Sequence, residues 1–160
     1  MVWVKSKEKL EFVVPGRPLC RGWRKTTKDE PRTKNDGKAY GAVIAMIAKV
    51  AMATSDWNYD ETSPVYVVLT INLATTKSTI SRKKREEMIK NKVLPVRYPS
   101  IERLIKVVVS SLQGTVYGST KQVVGVTAVK KYCKDDDQSI EILVGKPSSW
   151  GEMNYDLRNS

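Results

Sequence analysis

The sequence predicts a single domain that mixes helices with strands, and three observations carry that expectation. A chain of 160 residues is long enough to close one core and short for two. Residues 65–73, VYVVLTINL, form a β-branched and aromatic run introduced by Pro64, the pattern of a strand. Residues 101–112 place Ile101, Leu104, Ile105, Val108 and Leu112 at the spacings of one buried helical face. Hydrophobic residues make up 41% of the chain and charged residues 28%, a globular and soluble composition rather than a disordered one.

Charge narrows the partners. Lys and Arg number 28 against 17 Asp and Glu, a net charge of +11, which implies a polyanion: nucleic acid or an anionic membrane surface. No run of 18 apolar residues occurs, and the start, MVWVKSKEKLEF, lacks the apolar core of a signal peptide. Nucleic acid is therefore the expected partner, with no membrane. The absence of histidine excludes His-based acid–base catalysis and His-ligated zinc. Cys20 and Cys133 have no metal-ligand spacing and read as reduced thiols of a cytoplasmic protein.

Taken in order, residues 9–14 read as an opening strand. The segment from Val14 to Tyr40 is broken by Pro15, Gly16, Pro18, Gly22, Pro31 and Gly37, so it is a loop. It carries Arg17, Arg21, Arg24, Lys25, Lys28, Arg32, Lys34 and Lys38 around Trp23. Such a loop neutralises phosphates and offers an aromatic to stack on a base or wedge into a branch point; the plainer reading is a solvated loop with Trp23 folded onto the core. Residues 39–54 form an alanine-rich helix whose faces run through Ala42, Ala45, Met46, Lys49 and Met52 or Ala53, suited to core packing or a dimer face. After the strand at 65–73, a charged helix begins near Ser81, its expected N-cap. Lys83, Lys84 and Arg85 in its first turn oppose the helix dipole, an arrangement that a phosphate would relieve. The plainer reading pairs Glu86 with Lys90 and Glu87 with Lys83 on a solvated face.

The chain is organised around residues 98–122, YPSIERLIKVVVSSLQGTVYGSTKQ. A helix enters after Pro99, with Ser100 placed to cap it, and closes at Gly114. Glu102, Lys106 and Ser110 line a polar row opposite the apolar face. Residues 122–130 and 139–144 then read as strands joined by a hairpin, KKYCKDDDQ. Its Asp135, Asp136 and Asp137 point different ways on a turn, so they are read as solvated rather than as metal ligands. Residues 1–146 are expected as the domain and 147–160 as a C-terminal tail, in which Trp150, Met153 and Tyr155 dock or fray.

Residues 98–122 resemble the RusA-type Holliday-junction resolvases. In that family the stretch reads roughly (K/R)-P-D-x-D-N-L-x-K-x-x-x-D-A-L-x-G, then (Y/W)-x-D-D-x-Q-V. Pro99, Leu104, Lys106, Leu112, Gly114, Tyr117, Gln122 and Val123 stand at matching places. The family's metal-binding aspartates fall on Ser100, Glu102, Ser110, Ser119 and Thr120, of which only Glu102 is acidic. A looser likeness extends to the Pro/Gly/Arg segment after the first strand and to Lys131 and Tyr132, and the whole covers roughly residues 12–144.

The resemblance implies an α+β homodimer, a small mixed sheet packed with helices, whose two basic surfaces embrace a four-way junction. It also implies a phage or prophage source. Mg²⁺ needs carboxylate ligands, and Glu102 alone beside Lys106 is a poor cage, so the expectation is a pseudo-resolvase that binds branched DNA without cofactor. Glu102 and Lys106 are then vestigial catalytic residues. The DNA-binding set is Arg17, Arg21, Trp23, Arg24, Lys25, Lys83, Lys84, Arg85, Arg103, Lys106 and Lys121. Two other readings stay open. One is an active Mg²⁺-dependent nuclease in which Asp135 or Asp137 supplies a second acid. The other is a protein-interaction factor built on the same scaffold.

Overall fold

The apolar run after Pro64 becomes the central strand of the molecule because both of its edges find partners. The computed structural model describes residues 8–19, 36–75, 81–97, 99–133 and 137–159. In chain order the elements are β1 (Lys9–Pro15), α1 (Asp36–Ala53), β2 (Val65–Ala74), α2 (Arg82–Ile89), α3 (Ile101–Leu112), a 3₁₀ turn (Thr120–Gln122), β3 (Val123–Cys133), β4 (Ser139–Gly145) and α4 (Trp150–Asn159). The sheet runs β1-β4-β2-β3. Strand β2 pairs antiparallel with β4 and parallel with β3, while β1 pairs antiparallel with β4. The result is the mixed α+β architecture that the sequence predicts.

One expected connection is different. Strands β3 and β4 are not a hairpin, because β2 lies between them. The longer, largely apolar β2 lies inside the sheet beside β4, so β3 takes one of its edges and the chain crosses to the other. Asp135 and Asp136 in that link lie outside the described residues, and Asp137 is exposed.

The main core fills one side of the sheet. Leu10, Phe12 and Val14 of β1, the alternate residues Val65, Val67, Leu69, Ile71 and Leu73 of β2, and Ile140, Ile142 and Val144 of β4 are all buried. Leu104, Val108 and Leu112 of α3 close it, the predicted apolar face; each such side chain contributes on the order of 2 kcal/mol. In α1 the buried positions are Tyr40, Ile44 and Ala48. The row through Ala42, Met46, Lys49 and Ala53 is exposed instead. Helices α1 and α3 approach closely where Gly41 meets Ser111: a Cβ at Gly41 would stand 2.6 Å from the Ser111 hydroxyl oxygen.

On the other side of the sheet the Tyr66 ring lies over Gly145, where a Cβ would clash at 2.2 Å. The stretch expected as a tail contains α4, which packs against β3 with Met153 buried and Trp150 73% exposed. Among the described residues no helix is long and apolar enough to cross a membrane.

Candidate nucleic-acid interface

Helix α3 is held at both ends by side chains that come from elsewhere. At its start the Lys130 ammonium, on β3, donates to the carbonyls of Arg97 at 2.8 Å and Pro99 at 3.1 Å. Partial burial, reinforced by the Arg97 charge, lowers the Lys130 pKa from its ordinary value. Arg97 donates to the Ala74 carbonyl and lies over the Tyr132 ring, 5.8 Å from its centroid. Ser100 occupies the N-cap position, but its hydroxyl makes no cap bond; only its carbonyl accepts, from Leu104 N–H at 3.1 Å. The expected side-chain cap is absent, and the Lys130 ammonium instead holds the two carbonyls just upstream of the helix.

At the far end Gly114 takes φ +79°, the left-handed conformation that ends helices. The buried Tyr117 hydroxyl donates back to the Val109 carbonyl at 2.7 Å, and burial raises its pKa. Beyond it, Ser119 caps the 3₁₀ turn by accepting from Lys121 N–H at 3.2 Å. The Gln122 side-chain oxygen accepts from the N–H groups of Gly118 and Ser119, both at 2.9 Å. Its amide nitrogen donates to Ser63 O at 2.9 Å and to Asp60 Oδ1 at 3.2 Å.

Asp60 is the hub of this end. It accepts from Ser63 N–H at 2.7 Å and Thr62 N–H at 3.1 Å, and pairs with Lys146 at 3.0 Å. Hydrogen bonding from Ser63, joined by Lys146 and Thr62, outweighs desolvation and holds its carboxyl well below the usual range. Lys146 also pairs with Glu8 at 3.0 Å and stands 4.6 Å from the centre of the Trp57 ring. Trp57 in turn donates to the Val116 carbonyl at 3.0 Å. Sequence reading missed this network; its local signal was the Asp-x-Thr-Ser run at 60–63, which forms an Asx turn.

The polar row of α3 is as predicted. Glu102, Lys106 and Ser110 are all exposed, with Arg103 beside them. The Ser110 hydroxyl donates to the Lys106 carbonyl one turn back. Ser119, Thr120 and Lys121 are not gathered with that row. They follow the end of α3, whereas Ser100 and Glu102 stand at its start, and 12 helical residues span about 18 Å.

A second basic group sits on α2. Ser81 caps it by accepting from Lys84 N–H at 3.3 Å, as expected. Lys83, Lys84 and Arg85 are exposed in its first turn. The ion pair here is Arg82–Glu86 at 3.3 Å, not the predicted Glu86–Lys90 or Glu87–Lys83; at this exposure it contributes little. Arg17 is exposed after β1. Arg21, Trp23, Arg24 and Lys25 lie outside the described residues.

The arrangement can be placed among known proteins. The family model described as endodeoxyribonuclease RusA matches residues 15–144. The chain belongs to the RusA endodeoxyribonuclease family. RusA proteins bind DNA junctions, generally as dimers, and normally depend on Mg²⁺. No curated protein matches the chain. Against the RusA pattern, the scaffold positions Pro99, Leu104, Leu112, Gly114, Tyr117 and Gln122 all take part in the packing, turns or clamps just described. Of Ser100, Glu102, Ser110, Ser119 and Thr120, the residues that the resemblance sets against the family's aspartates, Glu102 alone is acidic. Among the described residues no group of three or more Asp, Glu, Cys or His stands together.

Proposed function

We propose that this RusA-family chain binds four-way or otherwise branched DNA by its shape and does not cut it. The donor set at the family's acidic positions carries the reading. Glu102 offers a carboxylate, but Ser100, Ser110, Ser119 and Thr120 offer hydroxyls, and those of Ser110 and Ser119 are engaged within the chain. Mg²⁺ gives up its water reluctantly and is held through carboxylates. Neutral oxygens do not offset that dehydration, and the Lys106 ammonium nearby opposes a second cation. These residues do not fit a Mg²⁺ site, so Glu102 and Lys106 are vestiges of the family's catalytic group.

Loss of the acids also removes repulsion from a surface that meets phosphate. In this reading Lys83, Lys84, Arg85, Arg103, Lys106, Lys121 and Arg17 contact the backbone. The segment with Arg21, Trp23, Arg24 and Lys25 reaches the branch point. The protein acts as a homodimer without cofactor in a reducing cytoplasm, in keeping with the free thiol of Cys133.

One observation favours a second reading, a nuclease with a rearranged site. Asp137, the described acid of the link between the end of β3 at Cys133 and the start of β4 at Ser139, is exposed. A titration of labelled four-way junction and matched duplex, in EDTA and then with Mg²⁺ or Mn²⁺, beside Glu102→Gln, separates the readings. Junction binding in EDTA with no cleavage under either metal is the expected result. Paired symmetric nicks that vanish in Glu102→Gln would establish the nuclease instead. Failure to bind either DNA at modest salt would turn the reading to a protein partner, for which the exposed Trp150 is the presented aromatic.

A further inference from the structure

Between α2 and α3 the chain turns two aliphatic side chains straight into solvent. Val96 is 98% exposed and Leu94 62%, while Val93 packs against the core and Pro95 is buried. That alternation of inward and outward side chains belongs to an extended chain, which Pro95 favours both at its own position and at Leu94 before it. The exposure does not come from slack. Upstream, α2 closes in a Schellman turn. Asn91 takes φ +60°, its N–H donates to the Met88 carbonyl at 3.1 Å, and Lys92 N–H donates to the Glu87 carbonyl at 2.9 Å. Downstream, the Arg97 side chain donates to the Ala74 carbonyl and lies over the Tyr132 ring, and the Arg97 carbonyl accepts from Lys130 at 2.8 Å. Single exposed aliphatics are ordinary on a protein surface. Two of them, held out by a backbone fixed on both sides, form a built projection.

We infer that Leu94 and Val96 are an apolar wedge that enters DNA at a branch point, where its bases are already unstacked. Charge selects DNA as the occupant. From Lys90 to Arg97 the chain carries Lys90, Lys92 and Arg97 and no carboxylate, and all three cations are exposed. Cations on both sides of the tip hold phosphates while the aliphatic side chains meet bases, the division of labour of DNA binders that insert apolar residues between base steps. An anionic membrane would match the charge, but two aliphatic side chains are much less apolar surface than an interfacial helix buries.

The wedge rests on the branched-DNA reading above and supplies its selectivity. Phosphate contacts hold junction and duplex alike. Insertion into a continuous duplex has to break stacking first, whereas a branch offers a step where that cost is already reduced. The tip therefore adds affinity for the branched form over the linear one. Its fixed backbone helps, because little conformational freedom is lost on insertion.

Anisotropy titrations in EDTA, with four-way junction and matched duplex, compare wild type with two double variants: Leu94→Ser with Val96→Ser, and Leu94→Met with Val96→Ile. In parallel, 2-aminopurine placed at the branch point reports unstacking by its fluorescence. The serine variant is expected to bind junction about tenfold more weakly or worse, with duplex affinity and its salt slope unchanged. It should also lose the fluorescence rise that wild type produces, while the variant with Met and Ile keeps both the affinity and the rise. Both variants should melt at the wild-type temperature, as exposed positions do. A clear drop for the serine variant would show that another part of the protein covers the tip, and would overturn the wedge. Unchanged junction affinity in the serine variant, or a bound wild-type junction with no fluorescence rise, would overturn the wedge and leave the branched-DNA reading intact. Equal weakening of junction and duplex would overturn it too, reducing the tip to a general DNA contact. A wild type that binds neither DNA would overturn both inferences, and binding to phosphatidylserine vesicles that the serine variant loses would then assign the tip to a membrane.

Discussion

Ser119, which the resemblance sets against an aspartate of the family, shows how a hydroxyl can cap a turn without charge. Serine and aspartate cap helices about equally well, so a hydroxyl still accepts from Lys121 N–H and the 3₁₀ turn survives the loss of charge. The neighbouring Gln122 matters more to the fold, because its buried amide joins the turn to the 60–63 loop. Asp60 is the ionisable member of that junction, and its depressed pKa has a definite sign. A carboxyl held below its unfolded value contributes stability that is complete above the ordinary carboxylate range and disappears as pH falls through and below it. Asp60→Asn should therefore be less stable than wild type at neutral pH in urea melts, and the gap should narrow below about pH 4. A gap that stays constant down to strongly acidic pH would mean that Asp60 acts by shape and not by charge. The family resemblance made Gln122 visible in sequence. Asp60 and Lys146 were not visible, since they lie far apart in the chain.

Helices α1 and α3 were legible from periodicity, but their contact was not. Gly41 reads as a blemish in an alanine-rich helix, at a cost of about 1 kcal/mol relative to alanine. The structure explains it as the point where Ser111, bonded to the Val107 carbonyl, leaves no room for a Cβ. Gly41→Ala alone should thus fail to give the usual helix gain. Combined with Ser111→Ala, it should exceed wild type by about 0.5–1 kcal/mol in thermal or chemical denaturation. Equal stability of the single and double variants would show that the serine simply rotates away. On α2 the cap at Ser81 was predictable because an N-cap bond is local. The partner of Glu86 was not, because exposed pairs one turn apart differ too little in energy to be selected by spacing alone.

For the molecule as a whole, a net charge of +11 makes salt the main determinant of DNA affinity. Each phosphate contact removed lowers the slope of log Kobs against log salt by about 1. Lys83→Gln, Lys84→Gln and Arg85→Gln together should flatten that slope in fluorescence-anisotropy titrations. Junction and duplex should weaken alike, because phosphate contacts position the protein and carry no sequence information. An unchanged slope would remove α2 from the proposed interface.

Composition, periodicity and local punctuation were enough to determine a basic α+β chain and the places of its strands and of α1, α2 and α3, while the family came from the likeness of residues 98–122. These are properties of neighbouring residues, and a chain carries them without being folded. The tertiary structure alone decided that β2 separates β3 from β4, that Lys130 holds the carbonyls just before α3 while Ser100 makes no side-chain cap, and that the Gln122 amide ties the turn after that helix to the 60–63 loop. It also decided which face of α1 enters the core, that of Tyr40, Ile44 and Ala48. Each depends on which distant segments meet, and that is settled by how apolar faces share one core, an outcome that no single stretch of sequence contains.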